Sequence, residues 1–292
     1  MLILAHPTTG DECLIPTGPV REAVVSWNTR VLEGTLELRV NAHDGRTSAG
    51  LPYATFSADR RTSCNGRDTF VRLDTDVLRS EVDIVSIGVR STAALDALYV
   101  SVPDYGAPSP IVALPAIRLD VPPVSQYEPA YPAERGWCAP AALAALLGFR
   151  SYPVDVPVVA REVFDASYGG TGNWAFNVAF AGLLGFRAAV LHLRDLAHAH
   201  AFLVDDIPLA VSIAWKEGQL SGAPLPQSSG HFVVLRGIDA NGDALVHDPA
   251  RPEIAVTYPR AQFEQAWIGH GGIALAVAPA PYGDALVRLA NA

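Results

Sequence analysis

The chain has 292 residues and a formal net charge of −9, with a pI near 5.3. That balance, with no run of lysine or arginine, excludes nucleic acid and anionic membrane as main partners, because both require a basic face. Apolar residues make up 50% and charged residues 17%, enough for full cores in two domains or one large one, and 24 glycines with 23 prolines favour a loop-rich β-containing chain over a helical bundle.

The opening Met1-Leu-Ile-Leu-Ala-His-Pro7 has no basic stretch and too short an apolar run for a signal peptide. No run reaches the ~18 apolar residues that span a bilayer. The expectation is a soluble protein without a transmembrane segment, cytoplasmic by default with export by another route left open; the oligomeric state is open. Cys13, Cys64 and Cys138 are too few for a disulfide framework and match no zinc spacing, although Cys13 and Cys64 could pair.

From Glu22 to Val102 short alternating runs are separated by turn signals. Glu22–Trp27, Thr35–Val40, Tyr53–Phe56, Thr69–Leu73, Val82–Val89 and Ala97–Val102 each fit a half-buried strand, and Asp44-Gly45 is a hairpin signal. Six short strands at this spacing predict a small β-sandwich. Trp27, Tyr53 and Tyr99 could form a carbohydrate or peptide surface, but the area an aromatic buries favours the core. Pro103, Gly106, Pro108, Pro110, Pro115, Pro122 and Pro123 then mark an extended linker, so the expected division is an accessory domain over 1–115 and a second domain over 116–292.

Gly136-Trp137-Cys138-Ala139-Pro140 precedes the apolar run Ala141–Leu147. A proline that only the first turn tolerates puts Cys138 at a helix start, with Gly148 as the expected C-cap. Unpaired N–H groups and aligned peptide dipoles at that end favour a thiolate. A cysteine that packs as a small hydrophobe is the bland alternative. Pro157–Phe164 and Asn173–Leu184 read as helices, Arg187–Leu193 as a strand, Leu196–Val204 as a helix and Pro208–Trp215 as an apolar strand. The glycines of Tyr168-Gly-Gly-Thr-Gly-Asn-Trp174 lack the Lys-Ser or Lys-Thr of a phosphate loop. His198 and His200, two apart on a helix, point to different faces and read as surface histidines rather than a metal pair.

Gly230-His231-Phe232-Val233-Val234-Leu235-Arg236-Gly237 is a strand opening on a histidine, and Asn241-Gly242 is a hairpin turn. The returning Ala244-Leu245-Val246 ends in His247-Asp248-Pro249, so antiparallel pairing brings His231 and Asp248 together. Alternation sends His247 to the opposite face, and His270 in Gly269-His-Gly-Gly reads as loop. A thiol, an imidazole to take its proton and a carboxylate to orient the ring form a Cys-His-Asp set. Oxyanion donors would be the Cys138 backbone N–H and the amide of Gln126 in Val124-Ser125-Gln126.

Ser-Gln upstream of Trp-Cys-Ala-Pro-Ala-Ala-Leu, then Gly-His-Phe-Val-Val-Leu-Arg-Gly, then His-Asp-Pro resembles the papain-like cysteine peptidases related to bacteriocin-leader processing, the C39-like type. Gly172-Asn173-Trp174-Ala-Phe176-Asn177 and Ser221-Gly-Ala-Pro224 look like the free-standing bacterial branch with a β-rich N-terminal domain. The resemblance covers roughly residues 120 to 270. It implies an α+β fold, with a helix carrying the cysteine and an antiparallel sheet carrying histidine and acid. It also implies Cys138 as nucleophile, His231 as general base, Asp248 as orienting acid and Gln126 as oxyanion donor. Trp137, Asn173 and Trp174 are then candidates for the substrate cleft; a packed aromatic and a helix N-cap are the alternatives for Trp174 and Asn173. Trp137 before the cysteine and Ala139 after it, where many relatives have glycine or serine, depart from the pattern. The double-glycine substrate of transporter-fused relatives is not implied, because no transporter segment is present. The expected partner is a peptide or protein substrate, and no metal or organic cofactor is implied. Two alternatives stay open: a catalytically silent peptide-binding module, or an amide transferase using the same three residues.

Overall fold

The computed structural model describes residues 1–103, 113–131 and 136–292; Gly106, Pro108 and Pro110 of the expected linker lie outside them. The strand-forming runs of the first hundred residues become β1 (Leu2–Ala5), β2 (Glu12–Asn28), β3 (Gly34–Ala42), β4 (Leu51–Phe56), β5 (Arg61–Ser63), β6 (Val71–Asp74), β7 (Val77–Ser91) and β8 (Ala97–Ser101). A sandwich calls for two separately paired sheets. Here all eight strands are hydrogen-bonded into one antiparallel sheet, ordered β1-β8-β2-β7-β3-β4-β5 with β6 on β7. The difference lies in two long strands, β2 of 17 residues and β7 of 15. Register shifts between Pro16 and Glu22 bend β2, so one strand serves both ends of the sheet.

Every residue from Ala23 to Asn28 and from Ala97 to Ser101 is buried, so β2 and β8 are covered on both faces. Ala23, Val25, Trp27, Leu98 and Val100 face the sheet's own core, where Trp27 meets Tyr53, Phe56 and Phe176 at ring separations of 6.2, 5.8 and 5.9 Å. Val24, Ala97 and Tyr99 face the second layer. The three aromatics weighed as a surface are core residues, at most 2% exposed.

The second layer begins at β9 (Ile117–Arg118) and continues through α1 (Cys138–Phe149), α2 (Val156–Val163), α3 (Trp174–Leu183), β10 (Arg187–His192) and α4 (Leu196–Val204). It is completed by β11 (Leu209–Trp215), β12 (Ser228–Ile238), β13 (Ala244–His247), β14 (Ala255–Tyr258), α5 (Arg260–Ile268), β15 (Ile273–Ala278) and α6 (Gly283–Ala290). Its antiparallel sheet runs β10-β15-β11-β12-β13-β14, and β9 pairs with β12. Ala139 to Leu147 are all buried, which suits a helix with no polar stripe, and α1 lies across β11 and β12.

Gly148 is not the C-cap of α1. The helix continues to Phe149 and is capped at Arg150, while a Cβ on Gly148 would stand 3.2 Å from Pro122, so this glycine admits a close approach. His198 is likewise no surface residue: it is 5% exposed and its Nε2 lies 3.0 Å from the Leu289 carbonyl on α6. His200 is half-buried, with Nε2 2.9 Å from the Pro115 carbonyl.

Polar side chains join the two layers along the free edge of β10. Asn28 accepts from Ala188 N–H at 3.0 Å and donates to its carbonyl at 2.9 Å. Val190 N–H donates to Ser26 Oγ at 3.3 Å and His192 N–H to Ser101 Oγ at 3.0 Å. Residues 188, 190 and 192 present their edge groups on one side, as the period of two requires. The first sheet therefore blunts an edge that would otherwise offer unpaired backbone to another chain. Gly182 lets α3 close onto this junction: its Cβ would fall 2.7 Å from the Cα of Asn28.

Candidate active site

Cys138 is the first residue of α1 and is half-buried. Trp137 occupies the N-cap without a side-chain hydrogen bond, and Pro140 sits in the first turn, so the first N–H groups carry no side-chain cap. Burial alone pushes the Cys138 thiol up. A hydrogen bond and charge from His231 and the backbone N–H groups of Phe232 and Ala139 outweigh it, so the net direction is down.

His231 lies on β12 opposite Ile213 of β11, three residues after the strand begins at Ser228. Val234 pairs with His247, which sets Val233 opposite Asp248 and leaves His231 diagonal to Asp248 on one face. The contact results: His231 Nε2 is 2.8 Å from Asp248 Oδ1, with both residues buried. Since Asp248 takes Nε2, Nδ1 is the ring nitrogen left to serve Cys138. Burial pulls the imidazole down, but Asp248 and Cys138 hold it well above its ordinary value. Asp248 itself is pushed up by burial and held down more strongly by His231, Tyr258 and the Ala250 N–H.

Two contacts here have no counterpart in the sequence motifs. The Tyr258 hydroxyl donates to Asp248 Oδ2 at 2.7 Å, and Trp215 sets its ring against His231 at 5.8 Å and 74°. Only the burial expected of an aromatic in an alternating strand marks Tyr258 in advance; Trp215 carries no signal beyond ending an apolar strand.

Gln126 is brought to the same cluster by its backbone, which donates to the Pro249 carbonyl at 3.0 Å beside Asp248. Its side chain is 5% exposed and Oε1 makes no hydrogen bond with the described residues. Trp137 is 9% exposed and tilts against Tyr131 at 5.5 Å.

Asn173 and Trp174 are placed differently. Asn173 caps α3, its Oδ1 accepting from Phe176 N–H at 3.0 Å and its Nδ2 donating to Asp165 Oδ2 at 2.9 Å, so both ends of the amide serve the scaffold. Trp174 is half-buried against the core and its N–H donates to Asp76 Oδ2 at 2.6 Å. Asp165, fully buried, also accepts from Ser63, Ser167 and Tyr168 N–H. Thr171 Oγ1 then reaches the Gly136 carbonyl at 3.3 Å, which ties this glycine-rich loop to the backbone ahead of Cys138. His247 faces away from Asp248, as alternation requires; burial and Arg236 lower it to about 4.

The model of the Peptidase_C39 like family matches residues 118–275, more than half of the chain. The chain belongs to that family. No curated protein matches this C39-like chain. Among solved structures it is similar to a C39-like peptidase from Bacillus anthracis, at 20% identity over 56% of this chain and 97% of that one, with a TM-score of 0.44. It is also similar to the peptidase domain of Streptococcus ComA, described as a bi-functional ABC transporter involved in quorum sensing, at 22% identity over 53% and 96% with a TM-score of 0.39. A third is a double glycine motif protease from an AMS/PCAT transporter in complex with its leader peptide, at 20% identity over 56% and 97% with a TM-score of 0.38. Among the described residues of this C39-like chain no helix is long and apolar enough to cross a membrane.

Proposed function

We propose that this C39-like chain is a cysteine peptidase that hydrolyses peptide bonds through an acyl-enzyme. The observation that carries the reading is His231 hydrogen-bonded through Nε2 to buried Asp248, with Cys138 at the start of α1 close enough for the imidazole to lower its thiol. Cys138 Sγ, as thiolate, attacks the scissile carbonyl carbon, and the carbonyl electrons move to oxygen. The Cys138 N–H and the Gln126 amide receive that oxyanion. The His231 imidazolium gives its proton to the departing amine as the C–N bond breaks. Water, deprotonated by the same imidazole, then attacks the thioester and releases the acid and the thiol. Asp248, held by Tyr258 and Ala250, keeps the ring in the orientation these transfers need.

Iodoacetamide labelling of the full chain from pH 4 to 9, with the labelled site located by mass spectrometry, tests the thiolate. Cys138 is expected to react rapidly well below pH 8, and His231→Ala to move that reactivity toward the ordinary thiol value of ~8.5. Ordinary reactivity in the native protein would overturn the reading and leave a peptide-binding module. Amide transfer would show as aminolysis products when an amine competes with water.

A further inference from the structure

A cavity of ≈ 310 Å³ lies between the turn leading into β5 and the helix α2, and Trp137, the residue before Cys138, is part of its lining. Trp137, Pro157, Ala160 and Phe164 form its apolar wall, and Arg60, Arg61 and Arg161 surround it with Asp59. A volume near ~300 Å³ is the lower end for ligand pockets and suits one or two side chains rather than a folded partner. We infer that this cavity is a specificity pocket of the peptidase, taking an apolar substrate side chain next to an acidic one. The inference rests on the proposed cysteine-peptidase reading and adds to it the substrate class and the residues that select it.

Charge supplies the first argument. The chain is acidic, with 21 lysines and arginines against 30 acids, yet three guanidinium groups converge here. Glu162 accounts for two of them, accepting from Arg61 Nη2 at 3.1 Å and from Arg161 Nη2 at 3.0 Å. The Arg60 guanidinium donates to Thr62 Oγ1, at 3.3 Å, and no carboxylate of the described residues lies within ion-pair distance of it. A substrate carboxylate is the complementary partner, and its pairing with a guanidinium fork beside an apolar wall gives direction as well as attraction.

Position supplies the second. Trp137 adjoins Cys138, one ~3.8 Å step of backbone away. On the proposed reading, a peptide with its scissile carbonyl at Cys138 would have the pocket within reach a few residues from the cut. The cationic side is also built rather than loose: Arg61 is 9% exposed, its carbonyl accepts from Ala166 N–H at 2.9 Å, and Ser63 N–H donates to buried Asp165 at 3.0 Å. The first sheet thus supplies one wall of a pocket whose other wall is α2 and the residue before the nucleophile.

The test uses a random decapeptide mixture, offered to full-length Cys138→Ala protein for capture and to the wild type for cleavage, with both pools read by mass spectrometry. Arg60→Glu is made in each background, and an unchanged melting temperature shows that the exposed substitution leaves the fold intact. Captured and cleaved peptides are expected to be enriched in Asp or Glu beside an apolar residue at a fixed distance from the cut. Arg60→Glu should reduce that enrichment about tenfold, the scale of one lost charge-assisted pair. Cleavage without acidic enrichment, or enrichment that Arg60→Glu leaves unmoved, overturns the pocket and leaves the peptidase reading standing. Enriched capture without wild-type cleavage keeps the pocket as a peptide site and overturns hydrolysis. Neither capture nor cleavage overturns both.

Discussion

Tyr258 shows how a residue outside every motif shapes the site. Its hydroxyl is one of the donors that keep Asp248 ionised inside the protein, and Asp248 in turn orients His231. Tyr258→Phe leaves Oδ2 buried without that donor, at a cost of about 1.5–3 kcal/mol for a lost hydrogen bond to a charged group. The sign of its pH effect follows from the lowered Asp248 value. A carboxylate held below its unfolded value of ~3.9 contributes stability above that pH and loses it as pH falls through the folded value. The variant raises the folded value and so loses stability at a higher pH. Urea midpoints of both proteins between pH 3 and 7 should show the acid fall displaced upward, with slower Cys138 alkylation; coincident curves would remove Tyr258 from the site.

The helix α3 packs on β2 of the first sheet and on β10 of the second layer, and so helps to join the two. Asp76, at the turn between β6 and β7, projects its carboxyl onto the Trp174 N–H at the start of α3, and it is 6% exposed. Burial, with a smaller push from the charge of Asp165, raises it to about 7 against the pull of the Trp174 and Ala175 N–H groups. Between ~4 and 7 the folded state keeps a proton that the unfolded chain has lost, so this residue makes stability fall as pH rises through that window. Asp76→Asn keeps an acceptor for Trp174 and cannot ionise. It is expected to be more stable than wild type at pH 8, by an amount on the order of 2–4 kcal/mol from the size of the displacement, and close to it at pH 4. Chemical denaturation at the two pH values checks this. A variant weaker at pH 8 would show that the carboxylate's charge serves the helix N-terminus more than its burial costs.

At the scale of the whole molecule, the contact between the sheets bears on whether the second layer stands alone. Expressed as residues 116–292, it would lose Ser26, Asn28 and Ser101 from the β10 edge and expose the apolar residues that meet Val24 and Tyr99. Each backbone group left unpaired in a partly dry surface costs about 1–3 kcal/mol, against a total stability of ~5–15 kcal/mol. The fragment is expected to aggregate or to lack near-ultraviolet circular dichroism, as size-exclusion chromatography and spectroscopy would show. A monodisperse fragment with an acidic Cys138 would make the first sheet dispensable.

Much of this is legible in the sequence. Local chemistry determined the six strand-forming runs, the helix that starts at Cys138, the strand that carries His231 and the Asn-Gly turn, because period, proline position and turn residues act over a few neighbours. The nearness of His231 and Asp248 followed from the short hairpin, which leaves one pairing direction. Tertiary structure alone decided the rest. Ser26 and Ser101 lie in runs expected to be half-buried strands, and they and Asn28 prove to be partners of β10, since alternation records which residues share a face and not what covers it. Tyr258, Trp215 and Asp76 reach their places across loops and between layers, and the pairing of distant elements leaves no periodic mark in the chain. Arg60 and Trp137 stand far apart in sequence and meet at one cavity only because the first sheet docks against α2 and the helix start.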